Sequence, residues 1–299
     1  VAPMSGSTTL LRRLARSGLE PLLRRAAQHY IAGPKPDDAR SMAKRLATGG
    51  FSSTLGFWDG TNDTPQGIQA RYLDDVAWIA GSGLDSYASL KLPALKGCDP
   101  LIEPVVELAI EHGVRLHFDS HSTADADPMW HQALAAARRG AKVSCTIPGR
   151  WRRSFDDCRQ AVEAGIRVRV VKGQWADDRQ PEADLREGFL AVVEALAGSG
   201  VQVALATHDA ELAEAAIGRL RSSGTDCQWE LLYGLAYRKP LTTASNLDVS
   251  VRFYIPYGEA YLPYCLSKVR QNPGLMGQLM LDAFSGLGGS DPMAAIYQR

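Results

Sequence analysis

Arg167 and Arg169 stand two residues apart in the otherwise apolar run Gly165-Ile-Arg-Val-Arg-Val-Val-Lys-Gly173. In an extended chain both face one way, while Ile166, Val168 and Val170 face the other. Permanent cations on one face of such a strand are costly to bury unless they meet carboxylates, phosphates or an electron-rich ligand. A salt bridge to a neighbouring strand meets that need as well as an anion or cofactor site does, so this strand alone leaves both open. Other apolar runs also end on polar residues: Lys91, Asp119, the Thr146-Ile147-Pro148 turn, Lys172, Thr207-His208-Asp209, Tyr233 and Tyr254. Taken singly, each reads equally well as a solvated lysine, a helix cap or a hydrogen-bonded core histidine. His117, Asp119 and His121 alternate, so with His208 and Asp209 they could ligate a metal and make a hydrolase. Against that, His117 lies inside a predicted strand and His121 beyond its end, and Lys91, Arg169 and Lys172 would repel a divalent cation.

The elements that must position these residues recur as one unit. Strands are predicted at Ser52–Phe57, Tyr87–Leu92, Val114–Asp119, Ala141–Ile147, 166–172, Val201–Ala206, Cys227–Tyr233 and Val251–Ile255. Between them helices are predicted at 65–82, Ile102–His112, through Met129 and Leu134, at Ser154–Ala164 with Ser154 as N-cap, at 183–197 and at 209–222. A short, poorly defined segment follows Tyr233, and a last helical region runs from Glu259 onward. About eight strands in strict alternation with helices demand a parallel sheet, and at this length they point to a closed barrel. The expected fold is therefore α/β, a distorted (βα)8 TIM-type barrel with N-terminal helices. An open doubly wound sheet is the alternative, weakened because no strand runs into a G-x-G-x-x-G turn. Residues 1–50 are expected as a helical segment packing on the barrel, and residues 51–299 as the barrel itself. In such a barrel, chemistry sits where strands end and the loops to the helices begin, which is where the polar residues above cluster.

Bulk properties narrow the classes. The 299 residues are 45% hydrophobic and 22% charged, with Lys+Arg and Asp+Glu both at 33, so no general nucleic-acid binder is indicated. The basic start, with Arg12, Arg13 and Arg16, lacks a continuous apolar core and reads as an amphipathic helix. Five scattered cysteines without a C-x-x-C pair fit a reducing compartment, and a cytoplasmic location is expected.

At this point the chain resembles a known family, the flavin-dependent proline dehydrogenases, including the proline dehydrogenase domain of bifunctional proline-utilisation enzymes. The likeness runs from Ile31-Ala-Gly33 and Ser53-Thr-Leu55 to the final helices. It is most specific in Arg169-Val-Val-Lys-Gly173, Ala206-Thr-His208, Leu232-Tyr-Gly234, Tyr254-Ile-Pro-Tyr-Gly258 and Tyr261-Leu-Pro-Tyr264. Each piece is short, but their order and spacing, one per barrel strand, make the match strong. The resemblance implies a distorted barrel that holds FAD non-covalently and passes a hydride from C5 of proline to flavin N5, giving the cyclic imine. It assigns Arg169 to the flavin ring, and Lys172, Gly173, Gln174, Trp175, Thr207, His208, Gln228 and Glu230 to the cofactor. Lys91 and Asp119 would hold the substrate carboxylate, and Leu232, Tyr254 and Tyr264 would wall the ring, with Lys91, Asp119, Arg169 and Tyr254 forming the catalytic set. It implies a small amine or amino-acid substrate and an electron acceptor such as quinone or oxygen. Peripheral membrane contact for quinone reduction and a homo-oligomer are both compatible with it.

Departures from the family pattern cluster around substrate and flavin edge. Ser267-Lys268 stands where the family carries two adjacent arginines on its last helix, Gln174-Trp175 replaces alanine-tyrosine, Pro148 replaces a glutamine, and Gln228 a glutamate. That pattern is odd for a plain proline dehydrogenase; the resemblance implies oxidation of the C–N bond of proline or a proline-like or other amine, with a specialised amine dehydrogenase of secondary metabolism, altered in carboxylate recognition, as the alternative.

Overall fold

The computed structural model describes residues 32–95, 99–180, 183–235 and 237–259. Helix α1 (Pro36–Thr48) precedes β1 (Ser52–Phe57), α2 (Pro65–Ser82), β2 (Ser86–Leu90) and α3 (Glu103–His112). The alternation continues through β3 (Leu116–Phe118), α4 (Thr123–Arg138), β4 (Val143–Pro148), α5 (Ser154–Glu163), β5 (Arg167–Val171) and α6 (Leu185–Leu196). It ends with β6 (Val203–Ala206), α7 (Ala210–Ser222), β7 (Cys227–Leu232), α8 (Arg238–Asn246) and β8 (Val251–Tyr257). All strands pair in parallel in sequence order, and β8 closes on β1 with Ser52 opposite Arg252 and Gly56 opposite Pro256. The protein is a TIM-type (βα)8 barrel.

Period-2 alternation explains how the strands are used. Leu90, Phe118, Ile147, Val170, Leu231 and Phe253 point outward into the buried layer beneath the helices. The alternate positions hold buried polar residues, among them Thr54, Ser89, His117, Thr146, Arg169 and Glu230. The hydrophobic core is thus the ring between strands and helices, and the barrel axis is filled by a hydrogen-bonded polar core. Helix α1 packs against β1 and β8, covering the seam where the barrel closes.

Local signals set several boundaries. Thr64 accepts a hydrogen bond from Gly67 N at 3.1 Å and Pro65 opens α2, while Gly83 ends it at φ 68°. Asp184 and Asp209 cap α6 and α7 in the same way. Ser154 is not the cap of α5: Arg153 holds that position, and the Ser154 hydroxyl donates to the Pro148 carbonyl at 2.6 Å. The segment after Tyr233, expected to be irregular, contains α8; its sequence is mostly polar, and the helix rests on the packing of Pro240 and Ala244. The helical region predicted beyond Glu259 lies outside the described residues. No helix among the described residues is long and apolar enough to cross a membrane.

Candidate functional site

The first residue after β3, Asp119, is the centre of the polar core at the mouth of the barrel. Its Oδ1 accepts from Arg169 Nη1 at 2.8 Å and Thr146 Oγ1 at 3.2 Å; its Oδ2 accepts from Ser89 Oγ at 2.5 Å and Tyr254 Oη at 3.2 Å. With four donors its acceptor capacity is filled. Burial alone would raise the Asp119 pKa, but Arg169, then His117 and Lys91, outweigh it and hold the group well below the usual carboxylate range. Asp119 is therefore a fixed anion that orients its neighbours and no proton acceptor near neutral pH.

Arg169 is 4% exposed and lies between two carboxylates, since its Nη2 also stands 2.6 Å from Glu230 Oε1. Burial works against its charge, yet Glu230 and Asp119 raise its pKa further above the ordinary value. Glu230, also buried, would be raised by that burial, but Arg169 and then His117 lower it. The guanidinium lies 5.0 Å from the Tyr254 ring centroid. Lys91, from the end of β2, donates to the Phe57 carbonyl at 2.8 Å and to Tyr254 Oη at 3.0 Å. Its Nζ stands 3.7 Å from Asp119, so Tyr254 links the two charges. Among the described residues, two cations and two carboxylates balance in this layer.

Tyr254 can cross the barrel from β8 because β1 carries Gly56: a Cβ there would lie 2.2 Å from the Tyr254 hydroxyl. Burial, followed by the Asp119 charge, raises the Tyr254 phenol well above its ordinary pKa, which keeps it a hydrogen-bond donor.

His117 uses both ring nitrogens on hydroxyls, Nδ1 on Ser144 at 2.8 Å and Nε2 on Thr146 at 2.7 Å. Because the Thr146 hydroxyl donates to Asp119, Nε2 carries the proton and Nδ1 accepts from Ser144. Burial, then Arg169, pulls its pKa down to about 4. His121 packs instead against Trp175, with ring centroids 5.2 Å apart. His117 therefore has no ring nitrogen left for a metal ion. Among the described residues, no group of three or more His, Cys, Asp or Glu side chains is placed to hold one.

A second cationic group rims the mouth beyond β5. Lys172 Nζ is 3.3 Å from Asp209 Oδ2, and Arg186 pairs with the same carboxylate. Gly173, at φ 94°, turns the chain directly over Arg150, whose Cγ lies 2.8 Å from where a Cβ would stand. Arg150 Nε is buried without a hydrogen-bond partner among the described residues. Among the described residues Arg150, Lys172 and Arg186 outnumber Asp209 here, and the ring of Trp175, two residues beyond Gly173 and 38% exposed, rests against His121. This donor set fits an anionic flavin dinucleotide, with Arg150, Lys172 and Arg186 for its phosphates and Trp175 for an aromatic face. Thr207 is buried, its hydroxyl accepting from Asp209 N at 3.1 Å, and His208 Nε2 accepts from the backbone of Leu232, the last residue of β7, at 2.9 Å.

The structure thus brings Lys91, Asp119, Arg169, Glu230 and Tyr254 together, with Lys172, Gly173, Gln174, Trp175, Thr207, His208 and Leu232 around the rim. Gln228 departs from expectation. It faces the axis like Glu230 but stands two residues, roughly 7 Å, nearer the opposite end, where it is hydrogen-bonded to Arg167 and Arg252. Tyr264, Ser267 and Lys268 lie outside the described residues. Sequence reasoning passed over Ser89, Tyr87, Ser144, Thr54 and Gly56; their signal was polar or small residues two apart on one face of β1, β2 and β4.

No family model matches the sequence, and no curated protein matches it. The fold does have relatives among solved structures. Proline utilization A from Bdellovibrio bacteriovorus, inactivated by N-propargylglycine, superposes with a TM-score of 0.69 at 17% identity, over 91% of this chain and 35% of that one. The enzyme from Corynebacterium freiburgense gives 0.69 at 15% identity over 94% and 35% of the two chains. A bifunctional proline utilization A gives 0.62 at 16% over 92% and 32%. The likeness is one of fold, and this chain spans about a third of the length of those proteins. It meets, at the level of the fold, the resemblance carried by the sequence motifs.

Proposed function

We propose that this chain is an FAD-dependent oxidoreductase that oxidises the C–N bond of proline or a proline-like amine to an imine. The observation that carries the reading is Arg169, buried between Asp119 and Glu230 at the mouth of a barrel of the proline utilization A type. Bound FAD would supply the hydride acceptor. The chain's own residues bind and orient. Lys91 uses two of its three donors on Phe57 and Tyr254, leaving one N–H for a substrate carboxylate oxygen. Asp119 fixes Lys91, Tyr254 and Arg169 relative to one another, and Arg169 presents a permanent cation where negative charge develops. Asp119, held ionised and fully hydrogen-bonded, positions its neighbours and is not placed to take a proton from the substrate amine. Electrons would pass on to a quinone, oxygen or another acceptor.

The substrate is narrowed by Ser267-Lys268. One hydroxyl and one flexible ammonium replace the forked donors of two guanidiniums, so proline is expected to bind at least roughly tenfold more weakly than in the family. A substrate whose carboxylate is modified, displaced or absent is favoured. The test is the visible spectrum of purified protein mixed with FAD and freed of excess. Retained flavin bands that Arg150→Gln with Lys172→Gln abolishes support the reading; a colourless wild type contradicts it.

A further inference from the structure

The opposite end of the barrel, at the N-terminal ends of the strands, carries chemistry that the mouth does not use. A cavity of about 420 Å3 opens there, within the roughly 300–1,000 Å3 range of small-molecule sites. Arg115, Lys142, Arg167 and Arg252 line it, and Asp85 is the one carboxylate in its described lining. Arg252 and Asp85 satisfy each other. Arg252 Nη2 is 2.7 Å from Asp85 Oδ1, its Nη1 donates to the Ser53 carbonyl at 2.5 Å, and its Nε donates to Gln228 at 2.8 Å.

Arg167 and Arg115 have no such answer. Arg167 is 6% exposed, donates once to Gln228 at 2.8 Å, and has a buried Nε without a hydrogen-bond partner among the described residues. Arg115 donates to the Val143 carbonyl at 3.0 Å. Among the described residues, neither guanidinium has a carboxylate within ion-pair reach. Burial, followed by the Arg167 charge, lowers the Arg115 pKa, which is the mark of cations sharing a recess. A plug that merely closed the barrel would have its guanidiniums as fully engaged as that of Arg252, whereas Arg115 and Arg167 each make one hydrogen bond and no ion pair among the described residues.

We propose that the base of the barrel binds a small oxyanion, phosphate- or carboxylate-bearing, between Arg115 and Arg167, with Lys142 at the entrance. Guanidiniums present planar paired donors that suit such oxygens, and the anion supplies the negative charge this recess lacks. The site is separate from the mouth. Tyr87 stands between them, its ring 4.2 Å below the Arg252 guanidinium and its hydroxyl 3.4 Å from Glu230. The inference holds whether or not the mouth takes a flavin.

Isothermal titration of the full chain with inorganic phosphate, and separately with malonate, at ionic strength held constant with chloride, tests it. A saturable site that persists when the rim is disabled by Arg150→Gln with Lys172→Gln is expected for at least one probe, and which probe binds tells phosphoryl from carboxylate recognition. Arg115→Gln should weaken that binding at least tenfold, Lys142→Gln by less, and Lys172→Gln at the mouth not at all. Arg115 is only half-buried, so its variant should fold even if Arg167→Gln does not. No heat above the chloride control for either probe would overturn the proposal. So would equal affinity in wild type and Arg115→Gln, or a loss confined to Lys172→Gln.

Discussion

Arg169 meets two demands at once: it neutralises Asp119 and Glu230 in the folded chain, and it places a cation at the mouth. Arg169→Met leaves two buried carboxylates without their partner and should cost about 3–5 kcal/mol of stability, seen in thermal or denaturant unfolding. Arg169→Lys keeps a charge but loses the two-sided grip, so it should fold and bind FAD while flavin reduction slows about a hundredfold in stopped-flow. A wild-type rate in that variant would remove Arg169 from the chemistry. Lys91→Met should raise KM for a carboxylate substrate about tenfold while kcat falls less, as expected when ground-state binding is lost. Equal falls in kcat and kcat/KM would instead assign Lys91 to the transition state.

At the scale of elements, the strands cooperate through what they leave out as much as through what they carry. Gly56 in β1 makes room for Tyr254 of β8, and Gly56→Ala should cost about 1–3 kcal/mol by forcing the ring off Lys91 and Asp119. An unchanged melting temperature would show that the ring can give way freely. Helix α2 is pinned to β8 by Tyr257 Oη, 2.5 Å from Asp75 Oδ2. Burial pushes the Asp75 carboxyl up to about 7, against the pull of Tyr257 and Arg40. A carboxyl raised in the fold binds more protons there than in the unfolded chain between roughly pH 4 and 7, so its contribution to stability declines as pH rises through that window. His117, lowered to about 4, contributes the opposite slope below its usual pKa. The test is therefore a difference: the stability gap between Asp75→Asn and wild type should grow in favour of the variant from pH 5 to pH 8. A gap independent of pH contradicts the assignment.

Some of this was legible in the sequence for identifiable reasons. Helix α2 matches its expected limits because Thr64-Pro65 and Gly83 punctuate it, and strand β1 because Gly49-Gly50 and Asp59-Gly60 flank it. Lys91 and Asp119 were legible because each directly follows the carboxyl end of its strand, where a barrel places its chemistry, and Arg169 because it alternates with Arg167 in an apolar run; Tyr254, read near a strand end, stands in the middle of a longer β8. Height within the barrel was not legible. Pairs such as Gln228 and Glu230, or Arg252 and Tyr254, share a face, but which layer each joins depends on strand stagger, which no local pattern encodes. Asp85 escaped notice because it meets Arg252 from the loop before β2, far away in sequence.

For the whole molecule, the polar axis of the barrel has two ends with different charge balance. Among the described residues, the mouth is neutral in its inner layer and cationic at its rim, whereas the base carries arginines that the one carboxylate of its lining does not offset. The central claim concerns the mouth, and anaerobic titration of the FAD-loaded chain tests it most directly, with L-proline in one series and proline-like amines lacking a free carboxylate in another. The account predicts that the oxidised flavin bands bleach with a proline-like amine, and that L-proline acts more slowly or at higher concentration. Flavin bands unchanged by every amine, in protein that retains FAD, would contradict it.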